Sequence, residues 1–181
     1  QGFQGATGEQ GIEGLRGYDG LMGPTGPPGT WSCFKEDTKI LTNKGYIPIQ
    51  KLRKGDLVQT LKHNFVPINM IKKCNIYHHC IQNRIKNQLY KYTKDAYPEV
   101  IEDLTMTGCH AILVDNFVNP EQRQKSIDLF GKLYVTDRKC RLYSCVNEKA
   151  TIYEKEGLYT IYHIALDNDN YYMNYGIYAN G

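Results

Sequence analysis

Six cysteines and five histidines are the residues of this 181-residue chain best suited to chemistry beyond packing. Cys33 stands at a border in composition, just after a glycine-rich stretch and at the head of everything else. A thiol there is either a nucleophile, reactive as its thiolate, or a buried structural residue. Thr107-Gly108-Cys109-His110 puts a hydroxyl, a thiol and an imidazole within four positions. Taken alone, Thr107 and His110 can also be ordinary strand residues with a core histidine. Cys109 can be redox-linked to Cys33, although a strand-packed thiol is the simpler reading. His163 interrupts the apolar run Leu158 to Leu166, as a second acid–base group or as a solvated strand histidine. Cys74, His78, His79 and Cys80 invite a zinc site, but their spacing matches no common finger, and neighbours on a strand face opposite sides. No metal and no cofactor is therefore expected. Cys140 and Cys145 can pair or stay free. Six cysteines fall short of the density of a disulfide scaffold, so most are expected as free thiols.

The elements that must position these groups read as short strands. Lys39 to Thr42 and Tyr46 to Ile49 form a hairpin that turns at Gly45. Strands are expected at 57–61, entered through Gly55-Asp56, and at 66–71, 75–81 and 88–92, followed by a loop over 93–103. Further strands are expected at 111–114, 133–136, 141–146, 150–153, 158–166 and 171–178. Pro120 to Phe130 is the one convincing helix, with Pro at its start, Glu121 in its first turn and Gly131 as its stop. Many short strands separated by turn signals predict a compact all-β fold with one short helix.

The first 29 residues are of another kind. Glycine occupies every third position from Gly2 to Gly29, ten times without a break, against seven glycines in the remaining 152 residues. That strict period is the mark of a collagen-like triple helix, in which three polyproline-II-like chains share an axis that admits only hydrogen as a side chain. Such a segment implies a homotrimer, because one chain alone buries nothing, and it would form a rod of roughly 90 Å. Gly26-Pro27-Pro28-Gly29 is its tightest part. The formal charge is +3, with −2 on the glycine-rich segment and +5 on the rest. The basic residues are scattered, with no run beyond Lys72-Lys73, so no nucleic-acid footprint is indicated. No apolar run approaches the ~20 residues that a membrane helix needs.

With its neighbours, the run from Cys33 resembles the opening of the Hint domain, the hedgehog/intein autoprocessing fold. Cys33 is followed by Thr38-Lys39-Ile40-Leu41-Thr42, then Gly45, then Gly55-Asp56-Leu57-Val58. Thr107-x-x-His110 resembles that family's Thr-x-x-His motif, and Leu158 to Leu166 its late strand. Asn174 to Gly181 resembles its closing stretch. The resemblance implies that the Cys33 thiol attacks the carbonyl of Ser32, converting the Ser32–Cys33 peptide to a thioester by an N-to-S acyl shift. It implies that His110 protonates the departing nitrogen and that Thr107 bonds the scissile peptide or holds the imidazole. General acid–base help of this kind is worth ~10²–10⁴ in rate. The thioester would then pass to water, a thiol, an amine or an alcohol. Two departures limit the likeness. His163 stands where inteins often carry Asp or Cys, and the chain closes on Ala179-Asn180-Gly181 rather than His-Asn. Either Asn180 is a cyclising residue lacking its helper histidine, or Asn180-Gly181 is an earlier turn, which is the preferred reading. N-terminal cleavage is therefore expected rather than full splicing.

The resulting organisation is a collagen-like segment over 1–29, a junction over 30–32 and a Hint-like domain over 33–181. Its expected partners are two further copies of the chain and an acceptor for the acyl group. The alternative is a catalytically silent Hint-fold head or end-cap of a structural fibre. Collagen-like repeats joined to such a domain in a chain rich in Lys, Asn, Ile and Tyr resemble collagen-like proteins of giant DNA viruses such as mimivirus. That likeness implies a place on a virion surface or fibre, with an extracellular or bacterial surface as the alternative.

Overall fold

The computed structural model describes residues 32–169 and 174–181. The glycine repeat, most of the junction after it and residues 170–173 lie outside the described residues, so the expectation for a triple helix is not addressed by it. The strand expected over 171–178 is not formed over its described part, 174–178, where Ile177 makes only an isolated bridge to Thr60. The described part carries twelve strands and one α-helix. The strands are β1 (Phe34–Lys35), β2 (Lys39–Thr42), β3 (Gly45–Pro48), β4 (Leu57–Gln59), β5 (Phe65–His78) and β6 (Leu89–Tyr92). They continue as β7 (Leu104–Thr107), β8 (Ala111–Val114), β9 (Val135–Thr136), β10 (Lys139–Tyr143), β11 (Thr151–Ile152) and β12 (Gly157–Leu166). The helix α1 (Pro120–Phe130) has the predicted bounds. Asn119 caps it by accepting the Glu121 N–H, and Gly131 ends it in the left-handed conformation.

Nine strands form one sheet in the order β11-β6-β7-β1-β12-β5-β4-β2-β3, and β8-β10-β9 form a second. The predicted hairpin is β2–β3, paired from Lys39↔Pro48 to Thr42↔Gly45, with Ile49 already in a 3₁₀ turn. The separate strands expected over 66–71 and 75–81 are a single 14-residue strand, β5. The polar stretch Lys72-Lys73-Cys74 does not break it, because β12 pairs with it continuously from Gly157↔His78 to Ala165↔Met70. That pairing satisfies the ladder without any need for burial of these side chains. Ile40, Ile49, Val58, Ile68, Tyr90 and Met106 lie in one continuous apolar core. Removing such side chains from water at ~25 cal/mol per Å² is the main favourable contribution to the fold. A smaller cluster of Cys33, Leu89 and Ile161 sits apart from it.

The placement of β1 matters most for function. It is only two residues long and lies between β7 and β12, with Phe34 opposite both Met106 and Tyr162. The residues before it, Ser32 and Cys33, are thereby fed between the end of β7 and the middle of β12.

Candidate functional site

The peptide linking Ser32 to Cys33 is held on both sides. On the β7 side, the Cys33 N–H donates to Thr107 Oγ1 at 3.0 Å, and the Thr107 N–H donates to the Cys33 carbonyl at 3.0 Å. On the β12 side, His163 Nδ1 lies 2.8 Å from the Ser32 carbonyl oxygen. A carbonyl oxygen only accepts, so Nδ1 carries the proton and donates. Nitrogen and oxygen of one peptide group are thus engaged by two side chains from different strands. The Ser32 hydroxyl adds a third tether, donating to the Cys109 carbonyl at 3.0 Å.

A tight turn after β7 carries Thr107 to the Cys33 N–H and the Cys109 carbonyl to the Ser32 hydroxyl, and it places the His110 ring on the adjacent Phe34. The His110 N–H donates to the Thr107 carbonyl at 3.0 Å. Gly108 is wedged in the turn: a Cβ there would lie 2.4 Å from the Ile85 carbonyl oxygen and 2.9 Å from that of Lys86. From behind, Ser144 holds the His110 carbonyl through its N–H at 2.8 Å and its hydroxyl at 3.0 Å, and the Tyr92 hydroxyl donates to Ser144 Oγ. The Arg84 guanidinium fixes the loop that carries Ser144 by donating to the carbonyls of Ser144, Cys145, Asn147 and Ala150. Its plane sits over Tyr90, 4.7 Å from the ring centroid. Sequence reasoning passed over Gly108, Arg84 and Ser144. The glycine between Thr107 and Cys109 was the one available signal, since a glycine inside a strand-to-turn motif marks close backbone approach.

Burial dominates the electrostatics of the site. Burial drives the His110 imidazole from 6.5 down to about 4, partly offset by a backbone hydrogen bond at Cys33. His110 Nδ1 is buried without a hydrogen-bond partner, and the ring packs on Phe34 with centroids 4.1 Å apart. Burial likewise pushes the Cys33 thiol up to about 12, with smaller contributions from Cys74 and Cys109. That thiol packs against Leu89 and Ile161. Cys109 is also raised by burial, but hydrogen bonds from Thr107 and Ser32 work against the rise. A cavity of about 510 Å³ opens beside the peptide, and Ser32, Phe34, Cys109, His110 and His163 are among the residues that line it.

The other sequence candidates fall elsewhere. All six cysteines are free thiols, Cys140 and Cys145 included. Among the described residues no group of His, Cys, Asp or Glu has the arrangement to hold a metal ion. His78 is a structural residue: it accepts the Leu89 N–H at Nδ1 and donates from Nε2 to the Tyr153 carbonyl. Asn180 is a bridge near the chain end. Its side chain accepts the Lys39 N–H and donates to the Asp103 carbonyl, in a left-handed conformation (φ 55) that suits asparagine.

A family model for the Hint domain matches residues 32–177. Among solved structures, the chain is similar to the crystal structure of the gp41-1 intein at 12% identity, covering 77% of this chain and 90% of that one, with a TM-score of 0.40. It is also similar to a bacterial intein-like domain from Clostridium thermocellum at 16% identity, covering 76% and 88% of the two chains, with a TM-score of 0.41. No curated protein matches it.

Proposed function

The chain belongs to the Hint-domain family, and from that premise we propose that it processes itself at the Ser32–Cys33 peptide by an N-to-S acyl shift. The observation that carries this reading is the two-sided grip on that peptide, Thr107 on its nitrogen and His163 on its oxygen. In the proposed reaction the Cys33 sulfur attacks the Ser32 carbonyl carbon. Negative charge grows on the carbonyl oxygen, where the His163 Nδ1–H already points. A donor so placed is worth ~10²–10³ in rate. In this reading His110, neutral at pH 7, relays the proton released as the sulfur bonds to the carbonyl carbon. Its low basicity then makes the imidazolium a strong acid towards the departing Cys33 nitrogen, which Thr107 keeps in position. The product is a thioester between Ser32 and Cys33 with a free α-amine.

The test is intact mass after incubation with dithiothreitol. A small thiol intercepts a thioester, so a fragment ending at Ser32 is expected. Release that continues unchanged in Cys33→Ala would assign the scission to ordinary proteolysis.

The glycine repeat supplies the rest of the proposal. Three chains wind through residues 1–29, each carrying a processing domain, and the fibre's end is what the thioester passes to water or to an acceptor nucleophile. The setting proposed is the surface or fibre of a giant DNA virus particle, supported by the union of repeat and domain in a chain of this composition. A second reading, a silent head on a structural fibre, is favoured by one feature, the buried and protonated Cys33 thiol packed on Leu89 and Ile161. Absence of thiol-dependent release would decide for it.

A further inference from the structure

A second thiol lies close to the scissile peptide. Cys109 Sγ lies 3.6 Å from Thr107 Oγ1, the same oxygen that receives the Cys33 N–H at 3.0 Å. The second sulfur is therefore within two short contacts of the scissile nitrogen. The Ser32 hydroxyl is bonded to the Cys109 carbonyl at 3.0 Å, which ties the residue that carries the acyl group to the residue that carries this thiol. Cys109, though buried, is among the residues that line the cavity, with Ser32, His110 and His163. Cys33 instead packs into the apolar cluster with Leu89 and Ile161.

We propose that Cys109 is a second nucleophile, which takes the Ser32 acyl group from Cys33 and presents it to the cavity. The step rests on the acyl shift proposed above. The Cys109 thiol gives its proton to the adjacent residue His110, whose buried Nδ1 makes no hydrogen bond. The Cys109 sulfur bonds to the Ser32 carbonyl carbon, and the bond from that carbon to the Cys33 sulfur breaks. The Cys33 thiolate then takes the proton from the imidazolium. One thioester replaces another, with no oxidant, reductant or further reagent. Both cysteines are buried, and the difference is one of place: Cys33 is not among the residues lining the cavity, whereas Cys109 is, so the transfer brings the acyl group to the cavity wall. Burial raises both thiols, and at Cys109 hydroxyl contacts offset part of that rise, whereas no hydroxyl does so at Cys33.

The test compares the full chain with its Cys109→Ser, Cys109→Ala and Cys33→Ala variants. Each is quenched in acid, digested without reductant and read by mass spectrometry. In the wild-type chain the expected product is a branched peptide joining the segment that ends at Ser32 to the segment that contains Cys109, and hydroxylamine destroys it. Cys109→Ser should accumulate the same branch as an oxygen ester, stable to dithiothreitol but cleaved by hydroxylamine. Cys109→Ala should lose the branch and slow release to hydroxylamine by roughly tenfold or more, with circular dichroism as in wild type. Wild-type release rates in Cys109→Ala and Cys109→Ser, with no branch in any chain, would overturn the second nucleophile and leave the Cys33 reaction standing. No thiol-dependent fragment from the wild-type chain would overturn both.

Discussion

Two side chains, Thr107 and His163, grip one peptide bond, with His110 in the adjoining turn, and each makes a separable prediction. His163 is placed for charge developing on oxygen, so His163→Ala should slow thiol-dependent release ~10²–10³-fold without unfolding the protein. A rate within twofold of wild type would remove it from the reaction. His110 should matter for proton transfer, with His110→Ala slowing release at least as much as Thr107→Ala. The same histidine leaves a mark on stability. It titrates at about 4 in the folded chain against 6.5 unfolded. Between those values the unfolded chain binds the proton more readily, so stability is full above about pH 6.5 and falls as pH drops towards 4. The loss should be on the order of 2 kcal/mol. Urea titrations at pH 7 and pH 4.5 check this: His110→Gln should lessen the decline, and an undiminished decline would show that other groups cause it.

At the scale of elements, the site depends on strand ends and on a supported turn. Gly108→Ala would drive a Cβ into the Ile85 and Lys86 carbonyls. It should cost at least the ~1–3 kcal/mol of an overpacked core and displace Thr107 and Cys109 together, lowering both thermal midpoint and release rate. Arg84→Lys keeps the charge but not the planar fork, leaving carbonyls of the 144–150 loop without donors. A loss of about 1–3 kcal/mol is expected in chemical denaturation, and an unchanged midpoint would show that the fork is dispensable. Much of this architecture was legible in the sequence. The hairpin at Gly45 and the helix between Pro120 and Gly131 are written in local turn and capping chemistry, which needs no partner to be read. The two-part reading of β5 went wrong where partner and pattern diverge: Lys72 and Lys73 carry no strand signal, and pairing with β12 supplies what they lack. The site was legible as residue types. Cys33, Thr107 and His110 stood out through a family likeness, and His163 as a polar interruption of an apolar strand. That His163 donates to the Ser32 carbonyl was not legible, because it depends on β1 lying between β7 and β12, a contact across 131 positions of chain. Arg84 was invisible for the same reason, since its acceptors are backbone carbonyls that no side-chain pattern encodes.

For the whole molecule, the proposal couples a fibre to a processing domain. The domain builds its site from its own strands, so residues 33–181 alone should sediment as a monomer, and the chain with its glycine repeat as a trimer. A trimer of residues 33–181 alone would shift assembly to the head and favour the end-cap reading. Winding three chains would also hold Ser32 near a shared axis, so release should slow as the repeat becomes triple-helical. Release rates above and below the melting of the repeat's circular dichroism signal would show it. The central claim is that the atom attacking the Ser32 carbonyl is the Cys33 sulfur, and replacing that sulfur by oxygen tests it most directly. Intact masses of wild type, Cys33→Ser and Cys33→Ala are followed in parallel with dithiothreitol and with hydroxylamine. The account predicts that wild type yields residues 1–32 with either reagent, that Cys33→Ser yields them with hydroxylamine alone, and that Cys33→Ala yields them with neither. Equal release from all three chains, whichever reagent is present, would contradict it.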